Sequence, residues 1–202
     1  MTSMDVTSIT PTPHALKALS HPVRLRMLGL LRREGPATAT TLAVRLGLNS
    51  GATSYHLRQL AEHGFVVDDL ERGNARDRWW RAAHQSTRTS REAPHDDAGK
   101  EVLDAYLQTV AVVMTETLQR AIEERSVLPD EWRDASTYSD WVLRLTPRRA
   151  RAFVELLEQT MDDAQQEDDQ EDGVAEFVIQ LHAFPRPGTV ETGGGTEQGT
   201  AP

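Results

Sequence analysis

Arg58 and Gln59 are the side chains best suited to reading a duplex. An arginine can pair bidentately with guanine, and a glutamine with adenine. Tyr55 lies one helical turn before them, with a hydroxyl for a phosphate or base and a ring for a thymine methyl. Helical spacing places Gly51, Ala52, Tyr55, Arg58, Gln59 and Glu62 on one side of residues 50–64. Thr53, Leu57, Leu60 and Ala61 then fall on the other side and must face a core. The small residues at the start of this segment would let its backbone approach a groove, and the N–H groups near Ser50 and Thr53 could donate to a phosphate. The expected reading set is therefore Ser50, Gly51, Ala52, Ser54, Tyr55, Arg58 and Gln59. A second basic group, Arg72, Arg76 and Arg78 around Gly73 and Asn74, would form a flexible cationic tip for phosphates or the minor groove. For both groups the competing reading is a solvated surface.

Those residues need a scaffold, and the flanking sequence predicts one. Leu16, Leu19, Val23, Met27, Leu30 and Leu31 recur at helical spacing, with a break at Ser20-His21 and Pro22 at a first-turn position. A short helix and a second helix ending near Gly35-Pro36 follow from this. Thr38 can cap a third helix whose Leu42, Ala43 and Leu46 face inward, and Gly47 ends it. Ser50 is expected to cap the fourth, which Gly64 stops. Two helices joined by so short a turn describe a helix-turn-helix. Phe65-Val66-Val67 and Arg78-Trp79-Trp80-Arg81 then read as a hairpin, giving a three-helix core with a two-stranded wing.

Charge supports the division of labour. The 202 residues carry 22 Lys+Arg against 31 Asp+Glu, a net charge of -9. Residues 1–91 hold 13 basic and 7 acidic side chains, a net of +6, and residues 92–202 hold 9 and 24, a net of -15; the two sum to -9. A basic front half and an acidic back half point to a nucleic-acid-facing module joined to something that is not. The chain has no cysteine, which excludes disulfides, thiolate-bound zinc, iron–sulfur clusters and thiol nucleophiles. No run approaches the roughly 18–20 apolar residues needed to cross a bilayer, and the N-terminus lacks the marks of a signal peptide. A cytoplasmic protein with no membrane partner is expected.

The fold class expected is mainly α with small β. Residues 1–12 read as a disordered lead, 13–84 as the winged helix-turn-helix, and 85–98 as a linker. Residues 99–126 form a long helix whose stripe of Leu103, Tyr106, Leu107, Val110, Met114 and Leu118 calls for a partner. Docking on the same chain competes with pairing to a second subunit, and the homodimer is the stronger expectation because readers of this size usually bind as two-fold dimers. Residues 127–185 read as a strand–helix–strand α/β unit, with Trp141–Leu145 and Ala175–Phe184 as the strands. Residues 186–202 are a tail too polar to bury a core.

Over Ala15–Ala82 the chain resembles the ArsR-type winged-helix repressors, in particular a cysteine-free subgroup. The resemblance is carried by the run LSHPVRLRMLGLLRREGPATATTLAVRLGLNSGATSYHLRQLAEHGFV. Its Ser50…Ser54-x-His56-Leu57…Leu60…Gly64-Phe65-Val66 spacing matches that family's recognition helix, and Arg72-Gly73-Asn74…Trp79-Trp80 its wing. It implies a homodimeric transcription factor, usually a repressor released from operator DNA by an inducer. The family's metal sensors carry Cys pairs on the helix matching Thr38–Leu46, or His and carboxylate sets on the terminal helix. Neither set is present here, so no metal site and no cofactor is expected.

The remaining chemistry is sparse. None of the seven histidines forms an i, i+4 pair, and His56 reads as a packed, hydrogen-bonded core residue rather than a ligand. His95-Asp96-Asp97 reads as a solvated linker. No phosphate loop, HExxH or GxSxG is present, so no enzyme is expected. The back-half aromatics either build a core or line an effector pocket, for which Trp132, Trp141, Arg144, Phe177 and His182 are the candidates. The competing functions are a metal-responsive regulator of the same fold, a winged-helix module that binds protein, and an effector-processing enzyme built on the back half.

Overall fold

The computed structural model describes residues 8–72, 77–89, 94, 96–165 and 173–190. They form a mainly helical chain in two separately packed units, divided between Trp141 and Val142.

In the first unit the first four helices each open on a side-chain cap. Thr12 Oγ1 accepts from Ala15 N at 3.3 Å to open α1 (Pro13–Leu19), with Pro13 in the first turn. His21 Nδ1 accepts from Val23 N at 3.2 Å to open α2 (Pro22–Arg33). Thr38 Oγ1 accepts from Thr41 N at 3.1 Å and caps α3 (Ala39–Leu46). The cap of α4 (Ser50–Glu62) is Asn49, one residue earlier than expected, its Oδ1 accepting from Ala52 N at 2.8 Å.

The ends of α3 and α4 share one device. Gly47 lies at φ 65°, and the N–H of Leu48 returns to Ala43 O at 2.9 Å. Gly64 lies at φ 75°, and Phe65 N returns to Leu60 O at 2.9 Å. These left-handed positions favour glycine because a Cβ there crowds the backbone. The second of them turns Phe65 directly into the core.

The wing is a sheet of three strands rather than two, ordered β2-β4-β3 and antiparallel. β3 (Val66–Asp68) pairs with β4 (Trp79–Ala82) in the register Val67↔Arg81, and β2 (Ala37–Thr38), the residues before α3, adds on through Ala37↔Trp80. A second, unforeseen pairing is parallel: β1 (Ser8–Ile9) on β5 (Ser86–Thr87). Residues 8–12 are therefore ordered rather than a loose lead, with Pro11 buried and Ile9 packed on the core; β5 likewise ties down part of the expected linker. Leu19, Met27, Leu28, Leu57, Leu60, Phe65, Val66 and Trp80 form the centre of that core. Burying each leucine-sized side chain contributes about 1.5–3 kcal/mol.

α5 (Asp97–Glu124) begins at the Asp96 cap, whose Oδ1 accepts from Gly99 N at 3.0 Å. Gly99 is buried there, and a Cβ would meet Pro94 Cβ at 2.7 Å. The helix packs against α1 and α2, and the Arg26 guanidinium clamps Glu116 with Nε to Oε2 at 2.9 Å. This corrects the single interface stripe. Tyr106, 6% exposed, lies in the chain's own core, with Leu103 and Val110 packed against it. Leu107 and Leu118 face solvent at 46% and 42%, and Met114 is half-buried. The reason is angular: positions 103, 106 and 110 fall on one side of a 3.6-residue helix, and 107, 111, 118 and 122 on an adjacent one. After a turn at Arg125–Val127 comes the short α6 (Asp130–Ala135).

The second unit contains α7 (Pro147–Gln165), opened by Thr146 Oγ1 accepting from Arg149 N at 3.3 Å. The segments on either side, Trp141–Leu145 and Ala175–Phe184, do not enter a sheet among the described residues, so the strand–helix–strand unit is corrected to a helix between two segments without regular structure. Alternation of apolar residues favours an extended backbone, but a strand also needs a neighbour to take its ladder bonds. Val142, Leu143, Val178, Ile179 and Phe184 are all exposed.

Candidate nucleic-acid interface

The solvent face of α4 carries the predicted readers. Tyr55 is 54% exposed, and Ser50, Gly51 and Arg58 are exposed; Ala52, Ser54 and Gln59 are partly covered. Thr53, by contrast, is fully buried and its hydroxyl donates to Asn49 O at 3.0 Å, so it belongs to the core and cap. Arg58 Nε donates to Ser54 O at 3.1 Å and Gln59 Nε2 to Glu62 Oε2 at 3.1 Å. Both bonds are local and exposed, so a base edge can replace them at little cost.

An open cleft of about 450 Å³ runs beside this face. The start of α3 (Thr38, Ala39, Thr40), the α4 face (Ser50, Ser54, Arg58) and the base of the wing (Asp77, Arg78, Trp80) line it. Its hydroxyls, a helix N-terminus and two guanidinium groups, beside the single carboxylate of Asp77, are groups that can hold a phosphate. Arg78 is held in place, with Nε on Asp68 Oδ2 at 2.7 Å and its guanidinium carbon 4.1 Å from the centre of the Trp80 ring. Arg72 is exposed, 3.9 Å from Asp69. Gly73, Asn74 and Arg76, the rest of the predicted wing set, lie outside the described residues.

Sequence reasoning missed Thr40 and Trp80 as members of the cleft. Thr38 is legible as a cap, and a helix N-terminus next to α4 is the available signal.

Behind the reading face lies a histidine contact. The His21 ring, at the start of α2, sits 4.6 Å from the His56 ring of α4. Burial, and then the charge of Arg24, lower the pKa of His21; burial, then His21 and Arg24, lower that of His56. His56 Nδ1 is buried and makes no hydrogen bond among the described residues, so His56 packs as expected but without the expected bond. On the far side of α2, Arg32 donates to His84 O and Thr87 Oγ1, both at 2.8 Å, and burial brings its pKa down to about 10.

The proposed effector residues fall on both units. Trp132 is half-buried on α6 and Trp141 is exposed in the first unit; Arg144, Phe177 and His182 are exposed in the second. Among the described residues no three His, Cys, Asp or Glu side chains gather as a metal site, and His95 lies outside those residues.

A three-helix core with a β wing and an exposed second helix defines the winged helix-turn-helix class. Comparison with protein families agrees: residues 19–68 match a family described as a helix-turn-helix domain. The match spans 50 of 202 residues, from the end of α1 to β3, so it covers the helix-turn-helix and leaves α5 to α7 unassigned. No curated protein matches the chain. Domain and geometry together support a DNA-binding transcription regulator. Among the described residues no helix is long and apolar enough to cross a membrane.

Proposed function

We propose that the chain is a cytoplasmic, homodimeric repressor of the ArsR type that reads operator DNA with α4 and the wing, and that a small-molecule effector modulates it. The exposed α4 face beside the cleft with Arg58 and Arg78 carries the reading, because its side chains are those that recognise base edges and phosphates. The +6 front half supports it, since phosphates would meet that half while the -15 half is repelled from the duplex. The exposed α5 stripe of Leu107, Ala111, Leu118 and Ile122 supports the homodimer. Two copies joined there would present two α4 helices to successive major grooves, about 34–36 Å apart.

Titration of duplex DNA at rising salt tests the reading. Six phosphate contacts would lower the affinity by about a thousandfold between roughly 50 and 200 mM salt. Salt-independent binding, or none at the lower salt, would contradict it and favour a protein-binding module.

A further inference from the structure

α7 carries a second apolar stripe that the described residues leave open. Ala150, Val154, Leu157 and Met161 share one side of the helix and are half-buried. Phe153 and Leu156, on the adjacent side, remain 42% and 61% exposed. Along that exposed side the order is Arg149, Ala152, Phe153, Leu156, Thr160, Asp163: basic at one end, apolar in the middle, acidic at the other.

We propose that this stripe pairs antiparallel with α7 of a second copy of the chain, about a two-fold axis at Leu156. Arg149 and Asp163 each stand seven residues from Leu156. At 1.5 Å per residue each lies about 10.5 Å along the helix from the axis. An antiparallel copy therefore sets Arg149 opposite the partner's Asp163 at both ends and meets Leu156 with the partner's Leu156 in the middle. This is the self-complementary surface a two-fold contact requires. A parallel copy would instead oppose like charges at each end. Asp163 Oδ1 already accepts from Gln159 Nε2 at 2.8 Å, and a carboxylate has capacity to accept an arginine as well. The back half carries a net -15, so association there is repulsive unless its few basic groups meet acidic ones, and Arg149 is placed to do so. The pairing rests on the homodimer proposed above and adds an interface distinct from α5.

A chain without cysteine makes the test direct. Leu156→Cys in the full chain, mildly oxidised, should run mainly as a covalent dimer on a non-reducing gel, whereas Arg151→Cys, on the other side of α7, should not. In sedimentation, Arg149→Asp should weaken self-association about tenfold, and adding Asp163→Arg should restore it. Equal cross-linking of the two cysteine variants in a chain that sediments as a dimer would overturn the α7 pairing and leave the α5 dimer standing. A chain that sediments as a monomer would overturn both. Failure of Asp163→Arg to rescue Arg149→Asp would overturn the antiparallel register.

Discussion

Leu60 and Leu156 are the same residue on amphipathic helices, α4 and α7, yet Leu60 is 0% exposed and Leu156 is 61% exposed. The first unit closes over a central core with helices, a wing and the two short pairings β1-β5 and β2-β4. Among the described residues the second leaves a helix and two irregular segments with many of their apolar side chains in solvent. A pattern of apolar residues states that something must cover them; it does not state whether the cover is the same chain. α5 holds both answers on one helix, with Tyr106 inside its own core and Leu107 outside.

The largest effect that would sharpen this contrast comes from the closed core. Leu60→Ala should cost about 2–5 kcal/mol of unfolding free energy in denaturant titration, because the packed site cannot collapse around the cavity. Leu156→Ala should stay within about 0.5 kcal/mol for the folding of its own chain. Equal losses would remove the distinction between the units.

On the reading face, Arg58→Ala should cost about 1–3 kcal/mol in operator affinity and relax base preference, read from competition binding. Arg72→Ala should instead weaken all sequences alike and lower the salt slope by about 1. Asn49→Ala, which removes the α4 cap, should lower stability by about 0.5–2 kcal/mol in the same denaturant titration.

The histidine contact gives a smaller, pH-dependent effect. The folded state holds His21 and His56 below their ordinary pKa of 6.5, so the unfolded chain takes up protons first as pH falls. Stability is therefore full above that value and declines as pH drops from it toward the lower folded values, where the decline levels off. Thermal melts of a His21→Gln, His56→Gln double variant should show a flatter dependence between about pH 7 and 5.5 than the parent.

The helix-turn-helix was legible because local chemistry there agrees with the fold. Thr38, Gly47 and Gly64 mark helix ends by their own side chains or lack of one, and the Thr53, Leu57, Leu60 stripe fixes which side of α4 is buried. Asn49 and Ser50 are both good caps, so the boundary slipped by one residue. β1, β2 and β5 escaped because two residues carry no periodicity, and only the fold shows what lies beside them. Trp141–Leu145 and Ala175–Phe184 misled for the opposite reason: their alternation is clear, but pairing depends on a neighbour the pattern does not name. The solvent-facing position of Arg58 was readable from its place on the helix. The cleft beside it was not, since it joins residues 38–40, 50–58 and 77–80 across three elements.

Selection of bound fragments from a random duplex pool by the full chain shows whether α4 reads sequence. An inverted repeat with half-sites about one helical turn apart should be enriched, and the enrichment lost with Arg58→Ala. A bound pool with no enriched sequence, or one unchanged by Arg58→Ala, would contradict sequence reading by α4.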